Sequence, residues 1–128
     1  MIIIPFDIKT QSFRSKVRIY NSYLNYVEID CLWDTGASRS SIPEYYAQLL
    51  MLKAICTSIV DGNNGKTMSS VYMTTFELDS KFVQVHPTSN SLDFALIGMD
   101  IISKGKMVIT NDNGKLTMYF AFVEEAEV

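Results

Sequence analysis

Leu32-Trp33-Asp34-Thr35-Gly36-Ala37-Ser38 is the stretch whose reading decides the fold. An apolar run leads straight into a carboxylate, a small hydroxyl residue and a glycine. This pattern suits a reactive acid held at the end of a strand. The strand fixes the backbone, Gly36 lets another backbone approach, and loop amides can hydrogen-bond the carboxylate. A given four-residue string arises by chance in roughly one chain per thousand of this length, at ~1/20 per residue. The motif alone is suggestive, and its surroundings carry the rest.

Upstream of the motif, Tyr23–Trp33 reads as a long strand with Val27, Ile29, Cys31 and Trp33 on one face. Lys16–Tyr20 alternates in the same way, and Asn21-Ser22 reads as the turn between the two runs. Ile2–Ile8 reads as an edge strand, because Pro5 cannot donate to a ladder. Downstream, Ile42, Tyr45, Tyr46, Leu49 and Leu50 recur at helical spacing, which predicts an amphipathic helix over about Pro43–Leu52. Ser41 and Glu44 fit a capping box, and the Tyr45/Tyr46 face is expected in the core.

Beyond the helix, two β-prone runs, Ile55–Val60 and Lys66–Leu78, flank Asp61-Gly62-Asn63-Asn64-Gly65 and predict a hairpin. Asp79-Ser80 is a further turn before Phe82–His86, and Pro87–Asp93 reads as a polar loop. Ala95–Met99 is a short apolar strand, and Asp100–Lys104 is a short late helical turn. Lys106–Thr110 and Lys115–Phe122 close the chain as a hairpin about Asn111–Gly114. The expected class is all-β, with short strands forming a small closed barrel or sandwich and one helix.

Composition sets limits on function. The chain has 128 residues, of which 48% are hydrophobic and 20% charged, as in ordinary folded domains. That size fits one domain over residues 1–128, with 1–14 as an N-terminal arm and 123–128 as a frayed acidic tail. A net charge of −3 offers no basic surplus for phosphates, so no nucleic-acid partner is expected. No apolar run approaches the ~18–20 residues of a bilayer span, and no signal peptide is recognisable. The expectation is therefore a cytoplasmic protein with no membrane partner. Cys31 and Cys56 lack CxxC spacing and His86 is the only histidine, so neither a metal nor any other cofactor is expected. His86 reads as structural or exposed, and Cys31 as a small buried hydrophobe. A Cys31–Cys56 disulfide stays open.

The motif and its setting resemble the retropepsins, the single-domain aspartic proteases. Asp34-Thr35-Gly36-Ala37-Ser38 after two apolar residues looks like their active-site motif. Asp61-Gly62-Asn63-Asn64-Gly65 resembles their substrate-covering flap. Ala95-Leu96-Ile97-Gly98 with the following turn resembles the segment that packs behind the active-site loop. The likeness runs from about Lys16 to Phe122 and is nearer to cellular and bacterial members than to viral ones. Viral members usually pair an Asp after the Ala with an Arg after the late Gly, where this chain has Ser38 and Met99. The resemblance implies an acid-protease fold, Asp34 as the catalytic carboxylate, and Thr35 at the contact between two active-site loops. Gly36, Ala37 and Ser38 would complete the loop. Ile97 and Gly98 would support it.

Acid proteases of this kind need two carboxylates that share a proton. No second Asp-Thr-Gly or Asp-Ser-Gly occurs in the chain. The second acid must then be Asp34 of another copy, which makes the expected active form a homodimer with its site on the two-fold axis. Ile2–Ile8 and Leu116–Phe122 are the candidate interface strands. An extended peptide is the expected partner, with apolar cleft residues favouring apolar side chains beside the scissile bond. Ala37 cannot donate the hydrogen bond that Ser or Thr gives in pepsin-like enzymes, so activity is expected nearer neutrality than theirs. The alternative is a peptide-binding or dimerisation module without catalysis on the same fold.

Overall fold

The computed structural model describes residues 1–62 and 65–123. Asn63 and Asn64 of the expected flap tip, and residues 124–128 of the expected tail, lie outside the described residues.

The strands that lead into the motif pair first. β2 (Arg14–Tyr20) runs antiparallel to β3 (Tyr26–Trp33), from Arg14↔Leu32 to Tyr20↔Tyr26. Alternation sends Ile29, Cys31 and Trp33 into the core and leaves Tyr26, Glu28 and Asp30 exposed. On the exposed face Lys16 meets Asp30 at 2.7 Å and Arg18 meets Glu28 at 3.0 Å. Such solvated pairs favour this register but add little stability. On the buried face the Ser15 hydroxyl accepts from Trp33 Nε1 at 2.9 Å and lies 3.3 Å from Cys31 Sγ. Burial pushes the Cys31 thiol up to about 11. Cys56 is exposed and both cysteines are free, which removes the disulfide left open above.

β3 starts later than the expected Tyr23. Asn21 Oδ1 accepts from the Tyr23 and Asn25 amides at 3.0 Å each and winds these residues into the turn, with Leu24 at φ 67°.

One nine-stranded sheet curls into a half-barrel in the order β5 (Ala54–Gly62), β6 (Gly65–Tyr72), β9 (Thr88–Asn90), β4 (Ser41–Pro43), β10 (Ala95–Ile97), β3, β2, β7 (Thr74–Leu78), β8 (Lys81–Val85). β10 (Ala95–Ile97) lies parallel to β3 and antiparallel to β4 (Ser41–Pro43). β9 (Thr88–Asn90) pairs with β4 and with β6 (Gly65–Tyr72), so the expected polar loop at Pro87–Asp93 contains a strand. Its polar side chains are satisfied within the sheet: Ser89 Oγ lies 2.8 Å from Ser69 Oγ, and Asn90 Nδ2 donates to Ser41 Oγ at 2.7 Å. It therefore lacks the apolar alternation that marks a strand in sequence.

β5 (Ala54–Gly62) and β6 form the expected hairpin. The run predicted as Lys66–Leu78 breaks at Met73, whose amide donates to the Lys53 carbonyl at 3.3 Å. β7 (Thr74–Leu78) then joins β2, and β8 (Lys81–Val85) returns through a two-residue turn with Asp79 and Ser80 at φ 52° and 62°.

The helix is shorter than predicted. α1 spans Glu44–Leu49, and the Ser41–Glu44 capping box does not form. Ser41 belongs to β4 and accepts from Asn90, while Glu44 Oε1 accepts from the Tyr72 hydroxyl at 2.6 Å. Ile42, Ala47 and Leu50 make the buried stripe, and Tyr45, expected in the core, is 68% exposed. A second helix, α2 (Met99–Ile102), supplies the late turn and buries Ile101 and Ile102.

β1 (Ile2–Pro5), β12 (Lys115–Phe122) and β11 (Gly105–Asp112) form a separate three-stranded sheet in that order. Trp33 packs on Phe120 with ring centroids 5.1 Å apart, joining this sheet to the half-barrel. β12 is the central strand and both its edges are hydrogen-bonded within the chain. Of the two strands expected to pair with a second copy, only β1 has an edge that no strand among the described residues covers.

Candidate active site

Asp34 follows the last residue of β3. Its amide donates to the Ile97 carbonyl at 2.9 Å, one step beyond the Trp33↔Ile97 pairing, so β10 carries the ladder up to the acid. The Asp34 carbonyl accepts from the Ala37 amide at 3.2 Å, and Oδ1 accepts from the Gly36 amide at 2.9 Å. A methyl at Gly36 would sit 3.2 Å from that oxygen, so glycine leaves the carboxylate its room. Asp34 is half-buried, while Thr35, Gly36 and Ser38 are exposed.

The loop from Asp34 to Ser40 leaves β3 on one side of β10 and returns as β4 on the other. It must therefore cross the end of β10, where Gly98 sits. A Cβ there would lie 2.7 Å from the Arg39 carbonyl carbon and 2.8 Å from the Ala37 oxygen, both main-chain atoms. Only glycine fits this crossing. The Met99 amide donates to the Ala37 carbonyl at 2.8 Å on the same crossing.

A further clamp closes the loop. The Ser40 amide lies 3.0 Å from both Asp100 carboxylate oxygens, and Ser40 Oγ donates to Oδ1 at 2.7 Å. The Gly98 amide donates to Ser40 Oγ at 3.0 Å. Ser40 is fully buried. Sequence reading missed this pair. Its signal is a hydroxyl six residues after Asp34 and an acid two residues after Gly98, which carries meaning only once the loop is known to cross β10. Ser38 and Met99 are both exposed; Ser40 and Asp100 tie loop to helix.

Asp34 opens into a cleft of about 750 Å³. Gly36, Ala37, Ser38 and Arg39 line it from the loop, and Ser58, Ile59, Val60 and Asp61 from the hairpin. β4, β9 and β10 contribute Ser41, Thr88, Ser89, Asn90 and Leu96. The lining is mostly hydroxyl, amide and charged groups, which corrects the expected apolar cleft. Strands β4 and β9, which the sequence reads as a helix cap and a loop, contribute four of these groups, Ser41, Thr88, Ser89 and Asn90. Of the expected flap residues, Asp61 borders the cleft, and Gly62 pairs with Gly65, whose φ of 95° suits a turn. A separate groove of about 350 Å³, framed by Tyr20, Leu50 and Met73, contains none of the motif residues. Among the described residues no group of three His, Cys, Asp or Glu is placed to share a metal ion, and no helix is long and apolar enough to cross a membrane. His86 is exposed at the end of β8.

A half-barrel sheet, an Asp-Thr-Gly loop crossing a glycine, and a hairpin beside the resulting cleft define the retropepsin fold. Solved structures share it. A retropepsin-like aspartic protease from Rickettsia conorii aligns with a TM-score of 0.62 at 21% identity, covering 94% of this chain and 91% of that one. The EIAV protease, solved with the inhibitor HBY-793, aligns with a TM-score of 0.60 at 16% identity, covering 76% of this chain and 90% of that one. The simian foamy virus (mac) protease gives 0.52 at 18% identity, covering 70% and 92%. No protein-family model and no curated protein matches the sequence.

Proposed function

We propose that this chain is an aspartic endopeptidase whose active form is a homodimer, with Asp34 from each copy forming the catalytic pair. The observation that carries the reading is the position of Asp34. Its carboxylate stands at the end of β3, held by the Gly36 amide, and opens into a cleft bordered by the β5–β6 hairpin. The fold shared with retropepsin-like proteases supports the same reading.

In this reading the whole chain is one protease domain. One Asp34 carboxylate takes a proton from the attacking water. Its partner, protonated, donates to the scissile carbonyl oxygen, and the proton later passes to the leaving amine. Thr35 lies at the contact between the two loops. Asp61, Gly62 and Gly65 belong to the hairpin that serves as a flap over an extended peptide, which binds through its main chain as an added strand.

The test is incubation of wild type and Asp34→Asn with a mixed peptide library from pH 3 to pH 8, beside sedimentation of both proteins. Endoproteolysis by a dimer, lost in the variant, is the expected result. Cleavage that survives Asp34→Asn, or activity from a strict monomer, would overturn the shared-pair mechanism. A wild type that binds peptides without cutting them would favour the non-catalytic module.

A further inference from the structure

We infer that Arg39 selects substrates with an acidic side chain, Asp or Glu, near the scissile bond. The inference deepens the proposed function and rests on it for the identity of the cleft.

The chain has three arginines, Arg14, Arg18 and Arg39. Arg14 stacks over Phe94 at 4.2 Å, and Arg18 pairs with Glu28 at 3.0 Å while lying over Tyr26 at 4.7 Å. Arg39 is exposed in the cleft, and among the described residues it makes no ion pair. Among the described residues it is also the one cation in the cleft lining, where the other charged residues are Asp34 and Asp61.

Its backbone is unusually well fixed for an exposed residue. The main chain on one side is tied through the Ala37 carbonyl to Met99 at 2.8 Å. On the other side is Ser40, fully buried and clamped to Asp100. Gly98 packs directly beneath the Arg39 carbonyl. A guanidinium on a fixed base loses less freedom on binding than one on a mobile loop. Its planar fork matches a carboxylate with two parallel hydrogen bonds. A peptide with Lys or Arg at this point would meet a like charge. A neutral peptide would cover the guanidinium without giving it a charged partner. Asp61 lines the same cleft from the hairpin, where it pairs across the ladder with Lys66, and is the alternative partner for Arg39.

The test uses one extended peptide sequence carrying Glu, Gln or Lys at each position in turn. Binding to the Asp34→Asn protein is read by fluorescence anisotropy, and kcat/KM is read with the active protein. At one or two positions Glu is expected to bind about tenfold more tightly than Lys, with the gap narrowing at high salt. Arg39→Met should bring the three peptides within about twofold of one another, and Arg39→Glu should reverse the order. Thermal melts of both variants establish that they are folded. A Glu preference unmoved by Arg39→Met, or an equal effect of Arg39→Met on all three peptides, would overturn the inference; the second result assigns Arg39 to Asp61. Cleavage that needs Asp34 but shows no charge preference would sink the inference and leave the protease reading standing. Glu-selective binding through Arg39 without cleavage would do the reverse.

Discussion

Removing the Asp100 carboxylate is predicted to loosen the active-site loop while leaving the rest of the sheet folded. In the wild type the carboxylate accepts from the Ser40 amide at 3.0 Å, from Ser40 Oγ at 2.7 Å and from the Ile101 amide at 3.0 Å. Asp100→Ala deletes all three acceptor contacts. Ser40 is fully buried, so its amide loses this acceptor where water cannot readily replace it. A hydrogen bond to a charged group contributes about 1.5–3 kcal/mol, and an unmet buried donor costs about 1–3 kcal/mol. Asp100 is only half-buried, so water recovers part of that loss. The net expectation is about 2–3 kcal/mol, or roughly a 10 °C fall in Tm for a domain of this size. Asp100→Asn, which keeps an acceptor, should lose about half as much. The assay is urea denaturation of Asp100→Ala, Ser40→Ala and the double variant. The two residues share one network, so the double variant should lose at least about 1 kcal/mol less than the sum of the singles. A loss under about 0.5 kcal/mol for Asp100→Ala, or strict additivity, would refute the clamp.

Gly98→Ala should cost about 3 kcal/mol in urea unfolding, because a methyl would press on main-chain atoms of Ala37 and Arg39 2.7–2.9 Å away; a loss below 1 kcal/mol would contradict the close crossing. Tyr72→Phe removes a 2.6 Å hydrogen bond to Glu44 Oε1, whose neighbour Oε2 is buried without a partner. It should cost about 1–2 kcal/mol by chemical denaturation, and a companion Glu44→Met should recover part of the loss. Native protein should react with one equivalent of a thiol reagent, at exposed Cys56, and with a second only in denaturant. The Cys31 thiol, held at about 11 by burial, lies above its unfolded value of about 8.5. Its contribution to stability is therefore complete below about pH 8.5 and is lost as pH rises toward 11. Burial and a hydrogen bond to Glu44 raise Tyr72 in the same direction. Urea midpoints from pH 8 to 11 should fall less steeply for Cys31→Val than for wild type.

Much of the fold was legible in local patterns. Alternation in Tyr26–Trp33 predicts which face is buried, and the Asn21, Asp79 and Asn111 turns sit where their residue types require. The elements that sequence reading misplaced depend on partners far along the chain. Ser41 looks like a helix cap until Leu96 and Asn90 come beside it and draw it into a strand. Thr88–Asn90 looks like a loop until β4 and β6 supply its ladder partners. Tyr45 and Leu49 lie on one side of the predicted apolar stripe, but α1 turns the other side, with Tyr46, Ala47 and Leu50, to the core.

The sequence by itself determined the strand-borne Asp34, the glycine after it, the hairpins and the absence of a second such acid, because alternation, turn chemistry and motif spacing act over a few residues. Only the tertiary structure decided the Ser40–Asp100 clamp, the polar lining of the cleft, the place of Arg39 in it and the enclosure of β12. Each of these depends on segments about 60 residues or more apart in the chain, or on strands that sequence reading missed. No local rule specifies such meetings; the packing of the whole sheet does.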